Sequence, residues 1–167
     1  MSEAHFKVMP WKNGGGQTTE LLKIPEESEN FDLRLSVAQI NSDGPFSIFK
    51  HIDRWIVLLS GEGVVLQFDE RTVELNQASA PYYFMGEERV ECRLLGESVS
   101  DFNLMMRRGY GIAEMMKCQT NQLIRYSDSD HFFIYEIENK RLIELQQGES
   151  WDTQNKLVIV IKLNKTP

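Results

Sequence analysis

"FDLRLSVAQI", residues 31–40, decides the fold. Phe31, Leu33, Leu35 and Val37 fall on one side of an extended chain, and Asp32, Arg34, Ser36 and Ala38 fall on the other. A period of two is the mark of a strand with one apolar face. The same alternation returns at Val64, Leu66 and Phe68 and at Val90, Cys92 and Leu94, with Arg89, Glu91 and Arg93 interleaved, so each segment is expected to carry one wet face. "WIVLL", residues 55–59, lacks alternation and reads as a strand buried on both sides. Further strands are expected at 17–22, 71–75, 81–85, 101–107, 122–126, 131–138, 140–145 and 156–163. Turn chemistry separates them at Asn41 to Pro45, Ser60 to Gly63, Glu138-Asn139 and Gln147-Gly148. Many short, closely spaced strands define an all-β class with little helix. Only Ile112 to Cys118 carries a helical signal, a turn or two without a clear N-cap. The period alone does not separate a sandwich from a barrel.

The 167 residues show no internal repeat or low-complexity run, and the one linker-like stretch, Pro25 to Asn30, is short and acidic. One compact unit over 1–167 is the expectation, with enough chain to bury a core without disulfides or metal. A net charge of −7 argues against a broad surface for nucleic acid or anionic lipid. The apolar runs fall far short of the ~20 residues of a membrane-spanning helix. Two cysteines, Cys92 and Cys118, make no disulfide framework, and the opening MSEAHFKVMPW has no signal-peptide core, so a cytoplasmic location is expected.

The chemistry-bearing residues gather in four places. "NGGG", residues 13–16, offers freedom for positive φ and consecutive amides able to cradle an anion, although Asn-Gly is equally a hairpin turn. In the strand that follows, Thr18 and Glu20 share a face. Arg34 lies on the polar side of its strand, where a solvated guanidinium is commonplace. Arg54 opens the doubly buried strand and needs either an internal acid such as Glu20 or a carboxylate ligand. Asp101, Asn103 and Met105 share a face, and Asp and Asn in a strand point to a polar lumen or a local hydrogen-bond duty. His5, His51 and His131 are scattered, with no HExxH or Cys/His spacing, so no metal or cofactor is expected. No GxSxG elbow appears, and Cys92 sits on an apolar face as an inert thiol.

Three blocks, "MPWKNGGGQTTEL", "FDLRLSVAQINSDGPFSIFKHIDRWIVLLSGEG" and "FMGEERVECRLLGESVSDFNLMMRRG", resemble in order the signature blocks of the HutD/Ves family, over roughly residues 9 to 109. The resemblance implies a cupin-like, bicupin β-barrel without the usual cupin metal ligands. It implies a role in histidine utilisation through sensing a small carboxylate such as urocanate or formylglutamate, or, for Ves relatives, in stress response. By matching motif it carries over Trp11, Asn13, Gly14, Gly15, Thr18, Glu20, Arg34, Arg54 and Asn103 as ligand-binding residues, with Glu20 and Arg34 positioning Arg54 or Thr18. Two positions depart from the family pattern. Thr19 stands where Arg is usual, and His51 stands where Gly is usual, placing a side chain in a turn that favours positive φ.

The expected function is therefore a metal-free, non-catalytic binder of a small anionic metabolite. The rivals are a metal-independent isomerase or lyase with Glu20 as base, and a protein-interaction module. Exposed strand edges leave pairing into a homodimer open.

Overall fold

The computed structural model describes residues 6–167, so His5 lies outside the described residues. Contacts divide the chain into two compact units, Met1–Arg108 and Gly109–Pro167. The first carries β1 (Lys7–Pro10), β2 (Gly16–Ile24), β3 (Leu33–Ile40), β4 (Gly44–Pro45), β5 (Ile52–Ser60), β6 (Val64–Gln67), β7 (Thr72–Leu75), β8 (Tyr82–Met85), β9 (Glu91–Leu94) and β10 (Val99–Arg107). The second carries β11 (Gly111–Gln119), β12 (Leu123–Arg125), β13 (His131–Glu136), β14 (Arg141–Glu144), β15 (Ser150–Asp152) and β16 (Leu157–Lys165). Every strand pair is antiparallel and no helix occurs among the described residues, so the all-β class stands. Among the described residues no helix is therefore long and apolar enough to cross a membrane.

In the first unit a six-stranded sheet, β1-β2-β3-β10-β5-β8, faces a four-stranded sheet, β4-β9-β6-β7. Two apposed antiparallel sheets are the cupin-like arrangement. Ile40, Ile56, Leu58 and Phe84 of the larger sheet pack on Val64, Leu66, Leu75 and Cys92 of the smaller. "WIVLL" runs through β5, between β10 and β8; residues 56–59 are buried and Trp55 is half-buried against Tyr83. The opposite face of the larger sheet buries Leu33, Leu35, Phe102 and Leu104. The polar side of β3 is not wet, because Ser36 and Ala38 are buried with it.

In the second unit β11-β16-β13-β14 form one sheet and β12-β15 a ribbon, with Phe132, Ile134, Leu145, Val158 and Val160 as core. The helical signal at Ile112 to Cys118 is overturned here. Ala, Glu, Met and Lys favour helix locally, but all nine residues of β11 pair with the β-branched β16 from Gly111↔Lys165 to Gln119↔Leu157. The stretch 41–45 is likewise not all turn: Gly44 and Pro45 pair with Cys92 and Glu91.

Candidate functional site

Strand register assembles the site. Residues directly opposite one another in antiparallel strands share a face. One row runs Thr18–Ala38–Asp101–Leu58, the next Glu20–Ser36–Asn103–Ile56, and the third Lys23–Arg34–Met105–Arg54–Phe84. Strict alternation after Thr18 and Glu20 would bring Leu22 to this face. An irregularity between Glu20 and Leu22 sets Leu22 opposite Leu35 instead and brings Lys23 round beside Arg34. Along this face the apolar residues Ile56 and Leu58 meet the smaller sheet, whereas the polar residues line a cavity of about 550 Å3.

Arg54 is buried on that lining. Its guanidinium stands among Phe46, Phe49 and Phe84, with ring centroids at 5.5, 5.4 and 4.7 Å. Nη1 donates to the Ser47 carbonyl at 3.2 Å, and the buried Nε has no acceptor among the described residues. Burial lowers its pKa to about 10, the charge of Asp101 works in the opposite direction, and Arg34 lowers it further. Asp101 is also buried on the lining; loss of water pushes its carboxyl up to about 7, against the opposing effects of the Asn103 hydrogen bond and the Arg54 charge. Asn103 Nδ2 donates to Asp101 Oδ1.

Arg34 has a partner. Its Nε donates to Glu20 Oε2 at 2.8 Å, and Lys23 Nζ stands 3.8 Å from the same carboxylate. Glu20 is thus committed to Arg34 and not to Arg54, which removes it as the internal acid for Arg54. Thr18 is positioned by Trp11, whose Nε1 donates to Thr18 Oγ1 at 2.8 Å, and not by Glu20.

The glycine loop is a turn in which the amides of Gly14 and Gly15 are already used. Gly14, at φ 73°, donates to the Trp11 carbonyl at 3.0 Å, and Gly15 donates to Asn13 Oδ1 at 2.9 Å. The expectation that these amides cradle an anion is corrected on that ground. Gly16 is required sterically, since a Cβ there would run into the Gln39 carbonyl and stand 3.1 Å from the Trp11 ring.

Of the nine residues taken from the sequence, Trp11, Asn13, Thr18, Arg34, Arg54 and Asn103 line the cavity. Gly14 and Gly15 shape the loop beside it, and Glu20 stands behind Arg34. Thr19 lies opposite Val8 and Val37, on the other face of β2, so the absent arginine takes no cation from the cavity. His51 keeps positive φ at 62°, held by its amide on Glu87 Oε1 at 2.6 Å and by the Arg108 amide on its carbonyl at 2.8 Å. The lining also includes Lys12, Ser36, Phe46, Ser47, Phe49, Asp101 and Met105. Asp101 and Met105 carried a readable signal in their alternation with Asn103, and Ser36 in its alternation with Arg34. No group of three or more His, Cys, Asp or Glu among the described residues is placed to hold a metal ion.

These features define an all-β, cupin-like protein with a ligand-sized cavity built around a buried arginine and a buried carboxyl. The chain belongs to the HutD family, whose model matches residues 3–163. It is 41% identical over 101 residues to an uncharacterized 21.2 kDa protein in the hutC 3'region of Pseudomonas putida, covering 60% of this chain and 53% of that protein. It is 34% identical over 99 residues to protein Ves of Citrobacter koseri, covering 59% and 52%. The chain thus spans about half the length of the curated relatives it matches. HutD from Pseudomonas fluorescens SBW25, in a formate condition, aligns over 98% of this chain and 96% of its own at 26% identity and a TM-score of 0.77. A conserved protein of unknown function from Pseudomonas aeruginosa shares the fold, with a TM-score of 0.78 and 24% identity over 99% and 97% of the two chains.

Proposed function

We propose that this HutD-family protein binds a small carboxylate metabolite in the cavity of its first unit, without a metal and without converting it, and that occupancy regulates histidine utilisation. The observation that carries the reading is Arg54, buried in the lining with one carbonyl as hydrogen-bond partner. A guanidinium presents five donors in a fork matched to a carboxylate, and desolvation strengthens such a pair. Asn103 and Ser36 supply neutral polar groups, Lys12 adds a cation, and Trp11, Phe46 and Phe49 supply apolar wall. The link to histidine utilisation is supported by the Pseudomonas putida relative, which its name places beside hutC.

The test is calorimetric titration of the whole chain with urocanate, formylglutamate and histidine. Wild-type protein should bind a carboxylate, and Arg54→Met should weaken that binding about tenfold or more, the scale of one lost charge-assisted hydrogen bond. No heat at millimolar ligand, or equal affinity in a folded Arg54→Met variant, removes the reading.

A second reading has one observation in its favour. Asp101, with its pKa near 7 on the cavity wall, suits a general base better than the ion-paired Glu20, so a metal-independent isomerase or lyase would use Asp101. NMR spectra of each ligand after prolonged incubation with protein separate the two: a binder leaves them unchanged.

A further inference from the structure

One cation on the cavity lining, Arg34, is answered by a carboxylate before any ligand enters. Glu20 answers Arg34 at 2.8 Å and stands 3.8 Å from Lys23. That leaves Arg54 and Asp101 as the buried opposite charges on the lining, 6% and 1% exposed, with Asn103 hydrogen-bonded to Asp101 and Lys12 exposed. A carboxylate entering beside Arg54 adds one negative charge next to two buried ionisable groups, and Asp101 stands on the adjoining strand of the same sheet face.

Resting on the carboxylate reading above, we infer that the cavity takes in a carboxylate and one proton together, the proton passing from solvent to the Asp101 carboxylate, so that Asp101 sets the protonation state in which the site admits an anion. No other bond forms or breaks. The protonated carboxyl keeps one oxygen to accept from Asn103 and turns its O–H toward the cavity as a donor, while Arg54 exchanges one anionic neighbour for another.

The groups facing Asp101 are consistent with it as the proton acceptor. Arg54 faces it from β5, and Arg34 on β3, whose charge acts on Arg54, lines the same cavity. Cys92 faces it from β9, with Asp43 beside that thiol, Glu20 stands on β2, and Lys12 lies in the loop after β1. Burial, helped by the charges of Asp101 and Asp43, holds Cys92 up at about 12 and so protonated. Arg54 stays charged with its pKa at about 10, and no histidine among the described residues lines the cavity. Asp101 ionises near 7, within the range where a modest ligand field changes its state.

The experiment is titration calorimetry with formylglutamate, whose carboxylates remain ionised throughout, at pH 6, 7 and 8 in phosphate and in Tris. Urocanate serves as a second probe. Wild-type protein should take up nearly one proton per ligand at pH 8, seen as a buffer-dependent heat, and should bind about tenfold more weakly at pH 8 than at pH 6. Asp101→Asn should bind with no proton uptake and a flat profile. Binding with no buffer dependence overturns the inference and leaves the carboxylate reading standing, as does an Asp101→Asn variant that keeps the wild-type profile. Absence of binding by both probes overturns the two together. If Asp101→Asn does not fold, the wild-type buffer dependence decides alone.

Discussion

Asp101→Asn should stabilise the first unit, and by more as the pH rises. Asp101 ionises near pH 7 in the fold against about 3.8 for an ordinary aspartate. The folded pKa is the higher, so the stability linked to this proton is fully present below pH 3.8 and is lost as the pH climbs through 7. At about 1.4 kcal/mol per tenfold in proton affinity the full loss is roughly 4 kcal/mol, of which about 2 has accrued by pH 5. Asparagine is neutral, nearly the same shape, and keeps the oxygen that accepts from Asn103. The variant should therefore exceed wild type by roughly 2 kcal/mol at pH 5 and roughly 4 at pH 8. Urea unfolding at pH 5, 6, 7 and 8 measures this through the midpoint at unchanged slope. In a Trp151→Phe background the remaining tryptophans, Trp11 and Trp55, report the first unit alone. A difference that stays constant with pH, or a variant weaker than wild type at pH 8, refutes the idea that Asp101 is held in a water-poor site at a cost in stability.

Arg54→Met removes the charge that favours the Asp101 anion, so the carboxyl should titrate above the wild-type value of about 7; carbon-13 NMR of the labelled aspartate reads it, and an unchanged or lower value contradicts the coupling. His51→Gly should stabilise by about 0.5–1 kcal/mol, because relief of the left-handed φ of 62° outweighs the greater freedom of glycine in the unfolded chain, and thermal denaturation should show the gain. Gly16→Ala should destabilise by about 1–3 kcal/mol, since its Cβ strikes the Gln39 carbonyl and the Trp11 ring, whereas Gly15→Ala meets the Ser42 and Asn13 side chains and should cost less in the same assay.

Much of the site could be read from period two alone. Asp101, Asn103 and Met105 were bound to share a face, and so were Thr18 and Glu20, because side-chain direction in a strand is fixed by parity. Arg54 stood out because a cation opening a doubly buried strand must be accommodated. Parity fails wherever register slips: the irregularity after Glu20 brought Lys23 to the cavity side and supplied Glu20 with two cations in place of one. Local sequence also could not say where the amides of Gly14 and Gly15 would point. Their acceptors, the Trp11 carbonyl and the Asn13 side chain, became identifiable only once the turn was closed. Phe46 and Phe49 reach Arg54 through the tertiary path of the segment after β4, which no periodicity describes. At β11 helix propensity was real but weak, and a long apolar partner strand outweighed it.

The two arginines on this face show how the fold separates a structural charge from an available one. Arg34 lies one strand from Glu20 across an irregularity that adds Lys23, and its charge is answered within hydrogen-bond distance. Arg54 occupies the same row two strands away, where the facing positions are Met105 and Phe84 and no carboxylate among the described residues lies within salt-bridge reach. Aromatic faces and one backbone carbonyl stabilise it less than a carboxylate does, so the guanidinium retains unused donors beside a cavity. Replacing Met105 by Glu would give Arg54 an internal partner, and it would be expected to abolish the need for a ligand anion while leaving the sheet register intact.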